Sequence, residues 1–191
     1  FQFSTGIPEC DLVVDLSFDD HPEMLNLLLK AKKPLLLSSV KISLAAVVLG
    51  IGKGSDVPVF GINALPGFIN RELAEVSAFN ESDRPVLEGM AEQMGLNLKW
   101  VKDRVGMVTP RVLFMIINEA YYTVQEGTAS KADIDTGMKL GTAYPFGPVE
   151  FVERIGIKNV YETLFALFTD TGEGRYKICP LLKEEYLRVG E

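Results

Sequence analysis

Apolar positions along the chain change their period once, and that change divides it. Up to residue 101, short apolar runs of strand length alternate with stretches in which apolar residues recur every three or four positions. Residues 11–16 read as a buried parallel strand, and residues 34–37, 57–62, 72–77 and 97–101 as further strands. Between them, Asp20-His21-Pro22 opens a helix, because Pro suits the first helical position and acidic side chains suit the positive end of the helix dipole. Met24, Leu25, Leu28 and Leu29 form its apolar stripe. Residues 43–49 predict a short helix, and Asp83 with Pro85 starts another that turns Val86, Leu87, Met90 and Met94 inward. This alternation predicts an α/β layer on a mostly parallel sheet.

Beyond Gly106 the pattern is helical throughout. Val108, Val112, Ile116, Ala120 and Val124 fall on one stripe, with Leu113, Ile117 and Tyr121 beside it. Residues 112–117 leave no polar face, so this stretch is expected to be covered all round, by its own chain or by a second subunit. Gly127 ends the helix, and Ser130 with Asp133 starts the next as a near capping box. Gly141 is expected to stop that helix, and Tyr144-Pro145-Phe146-Gly147-Pro148 to turn rigidly into another. Two more helices follow, over residues 149–154 and 159–168. The expected division is an α/β domain over residues 1–102 and a helical domain over residues 103–191, with the boundary near 102–105. No internal repeat interrupts either part.

Charge narrows the function classes. Lys and Arg number 19 against 26 Asp and Glu, a formal net charge of −7 over 191 residues. An acidic chain without a basic cluster argues against nucleic acid or an anionic membrane surface as partner. It also supplies no general positive field for a phosphorylated cofactor. No apolar run reaches spanning length. Cys10 and Cys179 fit no metal spacing and read as free thiols of a reducing compartment, the cytoplasm. The chain begins at Phe1 rather than Met, as a trimmed or partial chain would.

More specific residues lie further on. Asp103-Arg-Val-Gly106-Met, Arg111 and Asn118-Glu119-Ala120 are followed by the run from Ala129 through Asp133, Asp135, Met138 and Leu140 to Gly141, and then by Tyr144 to Pro148. Gly and Pro at these fixed offsets resemble the helical domain of the 3-hydroxyacyl-CoA dehydrogenases. Arg175-Tyr176 and Pro180-Leu181-Leu182-Lys183 resemble the segment near that family's C-terminal end. Upstream, Cys10 to Val14 resembles a strand of the family's dinucleotide-binding domain. Ser39-Val-Lys-Ile-Ser-Leu44 lines up with Ser-Asn-Thr-Ser-Ser-Leu, and Gly61-Ile-Asn-Ala-Leu-Pro66 with Gly-Leu-His-Phe-Phe-Asn, with Leu73-Ala-Glu75-Val in step. The resemblance thus implies a truncated Rossmann-like layer followed by the family's helical domain.

The same alignment shows departures. In the family, a His general base oriented by a Glu takes the hydroxyl proton as hydride leaves to NAD, while a Ser and an Asn hold the substrate oxygen. Imidazole suits that task because its pKa sits near the working pH. At the matching catalytic positions this chain has Asn63 for the His, Ile42 for the Ser, Pro110 for the Asn, and Glu75 retained. An amide exchanges no proton near neutrality, and Ile and Pro side chains make no hydrogen bonds. The family's pyrophosphate-binding unit would lie before Cys10, where nine residues stand. Gly50-Ile-Gly52-Lys-Gly54 has its third Gly misplaced for a nucleotide loop and follows a helical stretch, so it reads as a flexible turn. No cofactor is therefore expected in this chain, the family's being NAD, and no metal.

The one histidine, His21, beside Pro22, reads as a solvated capping residue. Tyr121 and Tyr122 line an acyl pocket or, more blandly, pack the core, and Trp100 packs near the domain boundary. The expectations are a divergent family member whose dehydrogenation is lost, binding acyl-CoA or acting by dimerisation, and forming a homodimer through residues 112–117. Two rivals stand beside it: one part of a split dehydrogenase, and a different chemistry on the same scaffold.

Overall fold

A computed structural model of the chain describes residues 10–52 and 54–189. It forms two compact units, one running to Ala64 and resuming over Phe68–Met107, the other taking Leu65–Gly67 and the chain from Val108 onward.

The first unit is a five-stranded sheet in the order β1 (Val13–Asp15), β2 (Leu35–Ser38), β3 (Val59–Ile62), β4 (Leu73–Ala78), β5 (Asn97–Trp100). Three of its pairings are parallel, and β3 with β4 is antiparallel. Successive residues of β2 and β3 face opposite sides, and all eight are buried, so both faces need covering. Leu35, Leu37 and Val59 pack with Leu25 of α1 (Leu25–Leu28) and with Leu44 and Val48 of α2 (Leu44–Gly50). Leu36, Phe60, Ile62, Val76 and Ala78 pack on the other side with Leu87 of α3 (Arg84–Met94).

The helix expected from Pro22 forms, as 3-10 turns on either side of the four-residue α1, and Leu25, Leu28 and Leu29 pack in the core. Asp19, just before it, turns its carboxylate back to the chain leaving β2. Two expectations fail in this unit: β1, read as a buried strand, is an edge strand of the described sheet with Val14 and Leu16 exposed, and the inner face of α3 is shifted. Along α3, Leu87 and Ala91 are buried while Val86 and Met94 are exposed. The inward face is therefore one step round from the expected one.

The second unit is helical: α4 (Thr109–Gln125), α5 (Lys131–Thr142), α6 (Pro148–Ile155), α7 (Ile157–Thr171) and α8 (Pro180–Val189), with a 3-10 turn at Gly174–Tyr176 before the last. Along α4 the buried face is Leu113, Phe114, Ile117, Ala120 and Tyr121. Val108 and Val112, expected on the inner stripe, are 52% and 57% exposed. Fully burying each apolar side chain of the inner face contributes about 1.5–3 kcal/mol.

The starts of α5 and α6 are closed from within 15 residues, and that of α8 by Asn118 and Gln125, which accept from the Cys179 and Leu181 amides. Ser130 Oγ accepts from the Asp133 amide, and the Asp133 carboxylate accepts from the Ser130 amide, completing the expected capping box of α5. Helix α5 runs past Gly141 to Thr142, and Ala143 takes the left-handed conformation that ends it. At the start of α6, the Asp135 carboxylate accepts from the amides of Val149 and Glu150 at 2.8 and 3.2 Å. Gly147 must be Gly here, because an added Cβ would lie 2.1 Å from an Asp135 oxygen. Residues 180–189, known in the sequence only as a resembling segment, form α8 and bury Leu182.

Candidate active site

The two residues at the positions of the family's His–Glu pair do meet. Asn63 follows the last residue of β3, and Glu75 lies on β4 at the antiparallel position across from it, so the Asn63 amide donates to the Glu75 carbonyl at 3.0 Å. Antiparallel neighbours at such a position carry their side chains on one face. Asn63 Nδ2 accordingly donates to Glu75 Oε2 at 3.3 Å. Asn63 is 4% exposed. Ser39, just past β2, and Ser77 on β4 both touch the open face of Gly61, where an added Cβ would come within 2.5 Å of Ser77 Oγ. Asn63 therefore extends a face lined by small residues and buried hydroxyls. Its amide donates and accepts hydrogen bonds but takes no proton at neutral pH.

Ile42 and Pro110 are placed differently. Ile42 packs against the core cluster around Leu37 and Leu44. Its carbonyl, not its side chain, is polar, and accepts from Ser39 Oγ at 2.7 Å. Pro110 is buried in the first turn of α4, where a missing N–H costs nothing, and belongs to the helical unit. His21 is exposed, caps no helix with its side chain, and has Glu23 Oε1 3.3 Å from Nδ1.

The segment between β2 and α2 is held by two acids that the sequence reading gave no role. Asp19 Oδ2 accepts from Ser38 Oγ at 2.6 Å, and its carboxylate accepts from the amides of Val40 at 2.9 Å and Lys41 at 2.7 Å. Asp103 accepts from the amides of Leu44 and Ala45, both at 2.8 Å, at the open start of α2. Beside them, the nearly buried Lys41 ammonium pairs with Asp20 at 2.7 Å. Withdrawal from water raises the Asp19 carboxyl above its ordinary range, against the pull of Ser38, Val40 and Lys41. No local periodicity announces either acid, because the partners lie 19 to 22 residues from Asp19 and 58 and 59 from Asp103.

In the helical unit, Tyr121 is fully buried and its hydroxyl donates to Glu185 Oε2 at 2.8 Å, while Lys131 Nζ pairs with Glu185 Oε1 at 2.5 Å. Burial, then the Glu185 bond and charge, raise the Tyr121 hydroxyl well above its ordinary range, so it stays neutral. These residues line a cavity of about 430 Å3 with Val149, Val152 and Ile157. Tyr122 is half-buried. Trp100 lies 6.2 Å from Phe60 and donates to Glu88, a packing role.

Residues 106–188 match the family model of the 3-hydroxyacyl-CoA dehydrogenase C-terminal domain. A probable 3-hydroxybutyryl-CoA dehydrogenase of Bacillus subtilis is 35% identical over 68% of this chain and 45% of its own length. A 3-hydroxybutyryl-CoA dehydrogenase of Bradyrhizobium diazoefficiens is 26% identical over 96% of this chain and 65% of its own. The chain belongs to the 3-hydroxyacyl-CoA dehydrogenase family. The crystal structure of the Escherichia coli 3-hydroxybutyryl-CoA dehydrogenase is 30% identical, with a TM-score of 0.68 over 80% of this chain and 31% of that one. That of the (S)-3-hydroxybutyryl-CoA dehydrogenase of Ralstonia eutropha has a TM-score of 0.81 over 98% of this chain and 69% of that one, at 23% identity, a likeness of fold.

The chain spans about a fifth to two-thirds of the length of curated family members that it matches. Among the described residues, no helix is long and apolar enough to cross a membrane, and no group of His, Cys, Asp and Glu is arranged to hold a metal. Gly52 and Gly54 follow α2 in left-handed conformations, and no helix begins at either. Lys53, between them, lies outside the described residues, as do the nine residues before Cys10.

Proposed function

We propose that this family member recognises an acyl-CoA and does not carry out the family's dehydrogenation. The observation that carries the reading is the Asn63–Glu75 contact: the side chain where the resemblance implies a base is an amide, hydrogen-bonded to the carboxylate that would orient that base. Losing a positioned acid–base group costs about 10²–10⁴-fold in rate. Ile42 turns its side chain into the core and Pro110 has none that accepts or donates, so neither replaces the missing group.

Recognition without turnover is tested by calorimetric titration of the chain with acetoacetyl-CoA, a 3-oxoacyl thioester, and with free CoA. Saturable binding of the thioester that weakens on Asn63→Ala or Glu75→Ala supports the reading. A flat titration, or heat indistinguishable between thioester and CoA, overturns it.

The helical unit also supports a homodimer. Val108 and Val112 stand exposed on α4, and Ile116, next along that face, lines an apolar groove of about 410 Å3 with Ile134, Met138 and Pro148. A two-fold contact would cover this stripe with its own copy. Phe114 lies wholly inside the unit, so Val112 is the residue to probe. Light scattering should give twice the 21.1 kDa chain mass for the native protein and the single mass for Val112→Glu. A native particle of single mass rejects the dimer. Cys179 is a buried free thiol, in keeping with a cytoplasmic setting.

A further inference from the structure

We infer that Asp19 is a positioning residue of the Asn63 site, acting through the chain that leaves β2. Asn63 stands at the end of β3, and its surroundings depend on where the neighbouring strand ends. Strand β2 runs parallel to β3 with Ser38 across from Ile62, and the Ser39 amide donates to the Ile62 carbonyl at 3.2 Å. Ser39 is 2% exposed and touches the face of Gly61, two residues before Asn63 and on the same side of the strand. Whatever fixes Ser38 to Lys41 therefore fixes the wall next to Asn63.

Past Ser39 that segment makes no ladder and no helix, so the amides of Val40 and Lys41 need partners from elsewhere. Asp19 provides them for Val40 and Lys41 and takes the Ser38 hydroxyl as well. The Lys41 side chain adds an ion pair to Asp20, and two other ties complete the turn. The Val40 carbonyl accepts from the Gly106 amide, and Ser39 Oγ closes a local turn on the Ile42 carbonyl. Both are neutral bonds, whereas those to the Asp19 carboxylate are charge-assisted and about twice as strong. Three bonds meet on one side chain from the far end of the β1–β2 connection. Removing it frees the whole turn rather than one contact.

This inference rests on the reading that the Asn63–Glu75 pair is the ligand site, and its test separates the two. The side-chain amide protons of Asn63, followed by NMR in the full chain and assigned by their shift in Glu75→Gln, report the site without any ligand. Asp19→Asn is expected to shift or broaden these signals, and Ser38→Ala to move them less in the same direction. Ser43→Ala, which removes only the local cap of α2 on the Ala46 amide, is expected to leave them in place. Acetoacetyl-CoA binding should weaken about tenfold in Asp19→Asn, the scale of one hydrogen bond to a charged group. Unmoved Asn63 signals in an Asp19→Asn protein that is merely less stable would overturn the inference. If native protein binds no thioester, the function proposed above falls while the NMR comparison still decides the role of Asp19.

Discussion

The two units satisfy open backbone amides at the start of a helix or in a turn with a different balance of near and far partners. In the helical unit α5 and α6 close from nearby: Ser130 with Asp133, Glu150 with the Gly147 amide, and Asp135 with Val149 and Glu150, 14 and 15 residues on. The start of α8 closes from afar, with Asn118 accepting from the Cys179 amide and Gln125 from the Leu181 amide, 61 and 56 residues apart. In the α/β unit Asp19 reaches the turn after β2 and Asp103 the start of α2. Local closure leaves a spacing that can be read, whereas remote closure leaves none. One of the remotely held segments, the turn after β2, lies beside the end of β3 from which Asn63 follows.

The largest effect separating the two strategies is expected at Gly147. Replacing it by Ala drives a Cβ into Asp135 and unseats the cap of α6, so overpacking and cap loss together should cost about 3 kcal/mol. Chemical denaturation followed by circular dichroism would measure it, and a loss below a third of that would mean that Asp135 moves aside easily. Asp19→Ala comes next, at about 2 kcal/mol, because it leaves two amides and the Ser38 hydroxyl without their partner. Hydrogen exchange should show the loss at Val40 and Lys41 and not along α4. Ser130→Ala, a single N-cap, should cost about 1 kcal/mol and confine its effect to the start of α5.

The smallest effect is the pH dependence of Asp19. Its carboxyl is raised in the folded chain by burial, so the folded state holds that proton more readily than the unfolded one. The group's contribution is therefore fullest below the ordinary carboxylate range and erodes as pH rises through the folded pKa. The stability gap between native protein and Asp19→Asn should narrow from mildly acidic to neutral pH. A gap that widens would show that the hydrogen bonds from Ser38, Val40 and Lys41 outweigh burial.

These contrasts explain what the sequence discloses. Five strands and the main helices were legible because period two and period 3.6 are carried by the apolar residues themselves. The capping box of α5 and the Pro148 start of α6 were legible because their signals are contiguous. The segment around Pro22 shows the limit, since its helical stretch was legible but the service of Asp19 to a strand end 19 residues away was not. The buried face of α4 was misjudged at Val108 and Val112 because an all-apolar run carries no phase. Of the site, the Asn63–Glu75 contact was within reach of alignment alone. The Asp19 clamp was not, for it exists only once β1 and β2 are paired.

We propose that an amide at Asn63 leaves this family member able to hold an acyl-CoA but not to oxidise it. The most direct measurement is NADH formation from 3-hydroxybutyryl-CoA and NAD by the purified chain, followed by absorbance beside the Bacillus subtilis relative as a working reference. The account predicts formation by the relative and none above background by this chain, in the same preparation that binds acetoacetyl-CoA. Turnover by this chain that disappears on Glu75→Gln would contradict it.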